Sequence, residues 1–314
     1  MIQPTETNEA SSTTSVPASL VALTSNLIDY AGLFPPAKLD MPTTVSNYSK
    51  YLACNESWML GRLIVPAARL DEFEEYASEL LPKSAETEPW RISCLVAPAG
   101  VKQLDEHLSR IKVFNDIHAD AEAGCALVDV LELRGETPEN IETALDKIPD
   151  DLFAFFEQPI ANDPRGLLAA LAGSDAGAKV RTGGLTPDDV PDVNDLARFI
   201  AACATANIPF KATAGLHHPL CNLDKAVGTK MYGFLNVFTA ACLMHEGKID
   251  EQTLVDLLLD ESITAFTYSD DELAWRDHRI TTEQITNARN QFAVSFGSCS
   301  FDEPREDLRT LKLL

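Results

Sequence analysis

The sequence has no apolar run long enough to cross a membrane, no paired-cysteine motif and few basic residues. No stretch reaches about 18 consecutive apolar residues, so we predict that the chain does not cross a membrane. The 25 Lys and Arg face 48 Asp and Glu, a formal net charge of −23. Such a surface repels phosphate backbones, which excludes a nucleic acid as a partner. It also means that a small anionic substrate requires a locally basic pocket.

The seven cysteines lack the CxxC spacing of zinc sites. Their odd number and mostly apolar surroundings are typical of reduced, buried thiols, and they predict a cytoplasmic protein. Residues 1–20 are mostly Thr, Ser, Glu and Pro, so we expect a disordered lead-in rather than a signal peptide. No Pro/Gly-rich linker divides residues 21–314, and we therefore predict a single domain there.

From residue 27 onward, short apolar segments alternate with amphipathic ones. We predict eight strands, at residues 27–34, 62–65, 92–97, 126–133, 152–156, 178–181, 209–213 and 263–268. Helices are predicted at residues 43–54, 70–81, 101–117, 138–147, 164–172, 192–206, 231–244, 251–259 and 282–296. Thr137 is the predicted N-cap of the helix at 138–147.

Eight strand–helix units in this length favour the α/β class and a (β/α)₈ TIM barrel. The rival fold is an open doubly wound sheet, which would place GxGxxG after its first strand. Residues 27–36 contain no such motif. We expect residues 299–314 to form a packed tail that closes the barrel or contacts a partner subunit of a homo-oligomer.

Polar residues gather at the predicted C-terminal strand ends, where such barrels keep their active sites. Asp29 and Glu132 are two of the acidic residues there. The predicted catalytic residues are Glu157, Lys211, His217 and His218, because carboxylates, amines and imidazoles move protons and attack carbonyls. The predicted substrate-binding residues are Tyr30, Arg134, Arg181, Gly183 and Gly184, since guanidinium groups grip carboxylate or phosphate and glycines let a ligand approach the backbone.

Two of these segments together resemble a known family. Residues 179–184 (KVRTGG) and 210–216 (FKATAGL) are similar to the paired lysine motifs of deoxyribose-phosphate aldolase and related Schiff-base barrels. There the pattern is roughly K-T-S/T-G followed by V-K-A-S-G-G on the adjacent strand. Lys211 matches the second lysine, and Arg181 stands at the predicted place of the Schiff-base lysine. An arginine cannot form the imine, because its guanidinium stays protonated.

A shorter resemblance concerns residues 157–159 (EQP), which are similar to a strand end of the enolase superfamily. The resemblance implies a glutamate ligand to Mg²⁺ at Glu157. The next strand lacks that superfamily's acidic motif, and the N-terminal capping domain is absent. Ion pairing of Glu157 with Arg134 or Arg181 is the structural alternative.

Three functional hypotheses remain open. The leading one is a cofactor-free lyase of the aldolase type, acting on a small carboxylated or phosphorylated metabolite. Arg181 would hold the anion, Lys211 would polarise or attack a carbonyl, and Glu157 with a histidine would move protons. The second is a hydratase or isomerase that uses Mg²⁺ or another divalent metal for enolisation, with Glu132, Glu157 and a histidine as ligands. The third is a non-catalytic ligand-binding barrel.

Overall fold

The computed structural model describes residues 16–84, 86–161 and 163–314, and eight of its strands close into a parallel barrel. In chain order the strands are β1 (Ile28–Tyr30), β2 (Leu60–Pro66), β3 (Trp90–Leu95), β4 (Ala126–Arg134), β5 (Phe153–Glu157), β6 (Ala176–Arg181), β7 (Phe210–Thr213), β8 (Asn222–Asp224), β9 (Thr229–Met231), β10 (Phe266–Tyr268), β11 (Glu272–Trp275), β12 (His278–Thr281) and β13 (Ala293–Ser298). Strands β1 to β7 follow one another around the barrel, and β13 closes it between β7 and β1. The predicted (β/α)₈ barrel of the α/β class is confirmed.

Helices connect the strands. They are α1 (Ala18–Thr24), α2 (Met41–Leu52), α3 (Leu70–Ala77), α4 (Gln103–His118), α5 (Pro138–Leu145), α6 (Arg165–Leu171), α7 (Val193–Ala206), α8 (Phe234–His245), α9 (Glu251–Leu258), α10 (Thr282–Gln291) and α11 (Asp302–Thr310). Helix α5 begins as predicted, because the Thr137 hydroxyl accepts the Asn140 N–H at 3.2 Å. None of the helices in the described part of the chain has the length and apolar character needed to cross a bilayer.

Helix α1 lies at the N-terminal end of the predicted domain, and α11 lies at its C-terminal end. Residues 1–15 of the predicted lead-in lie outside the described residues, and α1 begins three residues before the predicted boundary at residue 21. The tail is helical in α11, and it packs through the buried side chains of Phe301 and Leu308. All seven cysteines are free thiols; six are buried, and Cys54 is half-buried.

The predicted eighth strand is wrong. Residues 263–268 form a 3₁₀ turn followed by β10, which pairs antiparallel with β11 in a separate three-stranded sheet with β12. The eighth barrel strand is β13, which lies at the end of the predicted helix 282–296; helix α10 ends at Gln291. Short apolar runs are typical of both a strand and a buried helix. Pairing with β1 on one side and β7 on the other decides the conformation of β13.

The core has an apolar layer between barrel and helices, and this layer is continuous on the side of β7 and β13. Phe210 of β7 contacts Phe199 of α7, Phe238 of α8 and Phe292, with ring centroids between 5.2 and 6.2 Å apart. These rings face away from the barrel axis. The next residue, Lys211, therefore faces the interior, because side chains alternate along a strand.

Candidate active site

Five ionisable side chains meet inside the barrel, each supplied by a different strand. Listed so that each side chain contacts the next, they are Asp29 (β1), Lys211 (β7), Glu132 (β4), Lys179 (β6) and Glu157 (β5). Lys211 Nζ lies 2.5 Å from Asp29 Oδ2 and 2.5 Å from Glu132 Oε1. Lys179 Nζ lies 2.8 Å from Glu132 Oε2 and 2.9 Å from Glu157 Oε2. We call this alternating series of carboxylates and ammonium groups the charge chain.

Strand register brings these side chains together. Lys179 is the register partner of Lys211 on one side and of Glu157 on the other. Register partners on adjacent strands project to the same face of a sheet, and here that face is the barrel interior. Glu132 reaches both lysines with its two oxygens from β4. The five charges are thus placed by the closure of the barrel and not by proximity in sequence.

Exposure is greatest at the Glu157 end of the charge chain. The side chain of Lys211 is 0% exposed, that of Lys179 is 6% and that of Glu157 is 17%. Arg181, at the end of β6, is 47% exposed. Solvent therefore reaches the charge chain from the C-terminal strand ends, and Lys179 is the first of its two lysines on that route.

Hydroxyl and amide groups hold the deepest carboxylates in place. Ser93 Oγ donates to Glu132 Oε1 at 2.6 Å. Ser295 Oγ donates to Asp29 Oδ2 at 2.8 Å, and the backbone N–H of Arg62 donates to Asp29 Oδ1 at 2.6 Å. The two carboxylate oxygens that contact Lys211 therefore each accept a serine hydroxyl as well. Such paired and hydrogen-bonded surroundings are what a buried charge requires.

The ionisation states follow from burial and from these contacts. Burial by itself raises the pKa of Glu132, but the ammonium groups of Lys179 and Lys211 outweigh it and lower that pKa well below the usual range. The pKa of Glu157 is likewise lowered, because Lys179 outweighs burial. Burial lowers the pKa of Lys179, yet the two glutamates raise it above the ordinary lysine value. At neutral pH both glutamates are carboxylates and Lys179 is an ammonium ion.

The two predicted arginines form a basic rim around Glu157. Arg134 Nε lies 3.9 Å and Arg181 Nε lies 4.0 Å from Glu157 Oε1. Both distances are longer than the 2.9 Å contact between Glu157 and Lys179. The closest partner of Glu157 is therefore Lys179, and the guanidinium groups keep most of their donors free for an anion at the barrel mouth.

The two predicted histidines do not contact the charge chain. His217 Nδ1 lies 3.0 Å from Glu303 Oε2, and His218 Nδ1 lies 2.6 Å from Asp307 Oδ2. Both carboxylates belong to α11, so the loop after β7 is tied to the C-terminal helix.

Tyr30 also lies apart from the charge chain, because it alternates with Asp29 on β1. Its hydroxyl accepts a hydrogen bond from Asn47 Nδ2 at 3.3 Å, and its ring meets Tyr51 edge-on. Burial raises its pKa. Tyr30 therefore packs against α2, whereas Asp29 faces the barrel interior.

Sequence reasoning missed Lys179 and the two serines as site residues, and it gave Asp29 no role. It placed Arg181 at the position of a Schiff-base lysine, but the register partner of Arg181 is Thr213. The partner of Lys211 is Lys179, two residues earlier on the same face of β6. The alternation of side chains along β6 could have identified Lys179 from the sequence. Lys179 and Arg181 lie on the same face of the strand, and Lys179 lies two residues deeper in the barrel.

The two predicted metal ligands are engaged by lysines. Both oxygens of Glu132 contact an ammonium group, and one oxygen of Glu157 contacts Lys179. Within residues 16–84, 86–161 and 163–314, no group of three or more His, Cys, Asp or Glu side chains is arranged to hold a metal ion. No histidine joins Glu132 and Glu157 among the contacts of the described residues.

Comparison with known proteins assigns no family to this chain. No protein-family model matches the chain, and no curated protein matches it. The resemblance to deoxyribose-phosphate aldolase rests on the two lysine segments alone, and the enolase resemblance rests on residues 157–159 alone.

Proposed function

We propose that the protein is a carbon–carbon lyase of the aldolase type. Its substrate is a small carbonyl compound that carries a carboxylate or a phosphate, and Lys179 is the residue that forms an imine with it. One observation carries the proposal: Lys179 and Lys211 lie in register inside the barrel with a carboxylate shared between them. Buried lysines paired in this way suit nucleophilic and electrostatic chemistry at a carbonyl.

The two lysines take different roles because their surroundings differ. Lys211 is fully buried, lies 2.5 Å from each of two carboxylates and is 3.4 Å from Ser93 Oγ. It serves as a fixed cation. Lys179 lies nearer the mouth, next to the half-buried Glu157. A substrate that enters past Arg181 therefore meets Lys179 first.

The reaction balances with water as the only co-reactant. Lys179 gives a proton to Glu157 Oε2, 2.9 Å away, and its neutral amine adds to the substrate carbonyl carbon. Loss of water leaves a protonated imine. Glu157 has by then returned its proton to the departing hydroxide, so its carboxylate accepts the proton of the hydroxyl on the carbon β to the imine. The bond between the α and β carbons breaks, its electron pair forms an enamine, and the fragment that carried the hydroxyl leaves as an aldehyde. Protonation of the enamine and addition of water release the second product and restore Lys179.

Substrate binding has to reverse the resting ionisation of Lys179. In the free protein the neighbouring carboxylates raise the Lys179 pKa and keep it charged. A substrate that fills the mouth removes water from Glu157, whose side chain is 17% exposed. Loss of that water disfavours the ion pair relative to the neutral acid and amine.

Borohydride trapping tests this proposal. The protein is incubated with small carbonyl compounds bearing a carboxylate or a phosphate, including pyruvate and glyceraldehyde 3-phosphate, and is then reduced. We expect a covalent adduct that peptide mass spectrometry locates on Lys179. Because the Lys179 pKa is raised, the initial rate of adduct formation is expected to increase from pH 7 to pH 9.

Matched variants identify the nucleophile. Lys179→Met should lose the adduct, whereas Lys112→Met, at an exposed position on α4, should keep it. An adduct that persists in Lys179→Met but disappears in Lys211→Met would assign the imine to Lys211. Imine chemistry in this barrel is contradicted if no compound gives an adduct, or if the adduct persists in both Lys179→Met and Lys211→Met.

A further inference from the structure

Helix α4 presents apolar side chains to solvent as well as to the core. Its inner side is buried through Leu104, Ile111 and Phe114. On its outer side Val113 is 57% exposed and Ile117 is 45% exposed, and the two lie one helical turn apart. No other helix of the described residues exposes two large apolar side chains. A surface helix normally keeps its outer side polar, so this pair indicates a contact surface.

A groove of about 300 Å³ lies beside this pair, between α3 and α4. Leu70 of α3 and Phe114 of α4 line the groove together with Val113 and Ile117. The same surface therefore offers apolar projections and an apolar hollow, which are the two halves of knobs-into-holes packing between helices. A surface that supplies both halves can bind a second copy of itself.

Opposite charges lie at the two ends of this surface. Arg110 lies one turn before Val113, and Asp120 lies one turn after Ile117, so positions 110, 113, 117 and 120 share one side of the helix. Asp120 continues the helical path, because its N–H donates to the Ile117 carbonyl at 3.2 Å. Arg110 Nη1 lies 2.9 Å from an oxygen of Asp71, in a surface ion pair that can change partners at little cost.

We propose that α4 forms a two-fold homodimer in which the two copies of this helix pack antiparallel. Val113 then contacts Ile117 of the partner subunit, and Arg110 contacts Asp120 of the partner subunit; symmetry repeats each contact. Parallel packing would instead bring the two Arg110 side chains together and the two Asp120 side chains together. Charge therefore selects the antiparallel arrangement. A contact between one pair of helices is small, so we expect a Kd on the order of 100 µM.

Sedimentation velocity at protein concentrations from about 10 to 300 µM measures this association. About 0.3 M salt screens the general repulsion between two copies that each carry a net charge of −23. We expect the sedimentation coefficient to rise with concentration toward that of a dimer. Ile117→Glu should weaken the association by about tenfold or more, because it places a carboxylate in the apolar contact. The matched variant Leu223→Glu, at an exposed position on β8, should leave it unchanged.

A charge exchange tests the antiparallel register. Arg110→Glu alone and Asp120→Arg alone should each stay monomeric, because each variant sets like charges against each other at both symmetry-related contacts. An equimolar mixture of the two variants should associate, since every contact in that heterodimer again joins a cation to an anion. Both changes lie at the surface, and an unchanged unfolding midpoint shows that each variant is folded.

Three results would overturn the proposal: a chain that stays monomeric over the whole concentration range, a dimer that Leu223→Glu dissociates and Ile117→Glu does not, or folded charge variants that fail to associate when mixed. These measurements need neither substrate nor imine. A monomeric chain therefore rejects only the dimer, and a missing borohydride adduct rejects only the lyase proposal.

Discussion

Replacing Glu132 by glutamine is expected to lower the free energy of unfolding by about 3 kcal/mol. Glu132 is 1% exposed and contacts Lys179 and Lys211 with its two oxygens. Glutamine keeps the size but removes the negative charge, so both buried ammonium groups lose a partner. Breaking a buried pair costs more than the pair contributes net, because an uncompensated charge stays behind. Urea titration at pH 7 measures the change.

The matched control is Glu136→Gln, an exposed position in the loop after β4. It should change the free energy of unfolding by no more than about 0.5 kcal/mol. In a double-mutant cycle, Lys179→Met added to Glu132→Gln should cost less than Lys179→Met alone, with a coupling of about 1 kcal/mol or more. Additive effects would show that Glu132 and Lys179 do not stabilise each other.

The same contacts give the pH dependence of stability a definite sign. The lowered pKa values of Glu132 and Glu157 mean that their contribution is present above about pH 4.3, the unfolded glutamate value, and is lost as the pH falls further. The raised pKa of Lys179 means that its contribution is present below about pH 10.4 and is lost as the pH rises through its folded pKa. Glu132→Gln should flatten the acid limb of the stability curve.

Replacing Arg289 by methionine is expected to cost about 4 kcal/mol of unfolding free energy. Arg289 lies on α10 and is buried; burial lowers its pKa to about 10. Its guanidinium donates to the carbonyls of Leu23 (2.8 Å), Ser25 (3.0 Å), Ala293 and Val294 (2.6 Å). It therefore ties the end of α1 to the start of β13, and methionine leaves these carbonyls without that donor.

Two further variants separate hydrogen bonding from charge. Arg289→Lys keeps a cation but reaches fewer carbonyls, so its loss should be intermediate, about 2 kcal/mol. Arg279→Met, whose side chain is 62% exposed, should cost less than about 1 kcal/mol. Equal losses for Arg289→Met and Arg279→Met would refute a structural role for the buried guanidinium. Thermal and urea unfolding provide the readout.

The sequence alone determined the barrel and much of its mouth. Seven of the eight barrel strands overlap their predicted segments, because buried parallel strands read as short apolar runs between amphipathic helices. Glu132, Glu157 and Lys211 were singled out because a charge near a strand end stands out in an apolar run. The Thr137 N-cap was predictable because capping depends on residues three apart.

The tertiary structure decided the rest, because the remaining features depend on pairing between distant segments. Residues 293–298 became a strand through β1 and β7, which lie far away in sequence. Lys179 belongs to the charge chain because the strand register places it beside Lys211. Ser93 and Ser295 contact the charge chain because their hydroxyl groups donate to Glu132 and Asp29. His217 and His218 do not join the charge chain, and α11 supplies a carboxylate partner for each of them. Local patterns encode which residues face inward, but only barrel closure determines which of them meet.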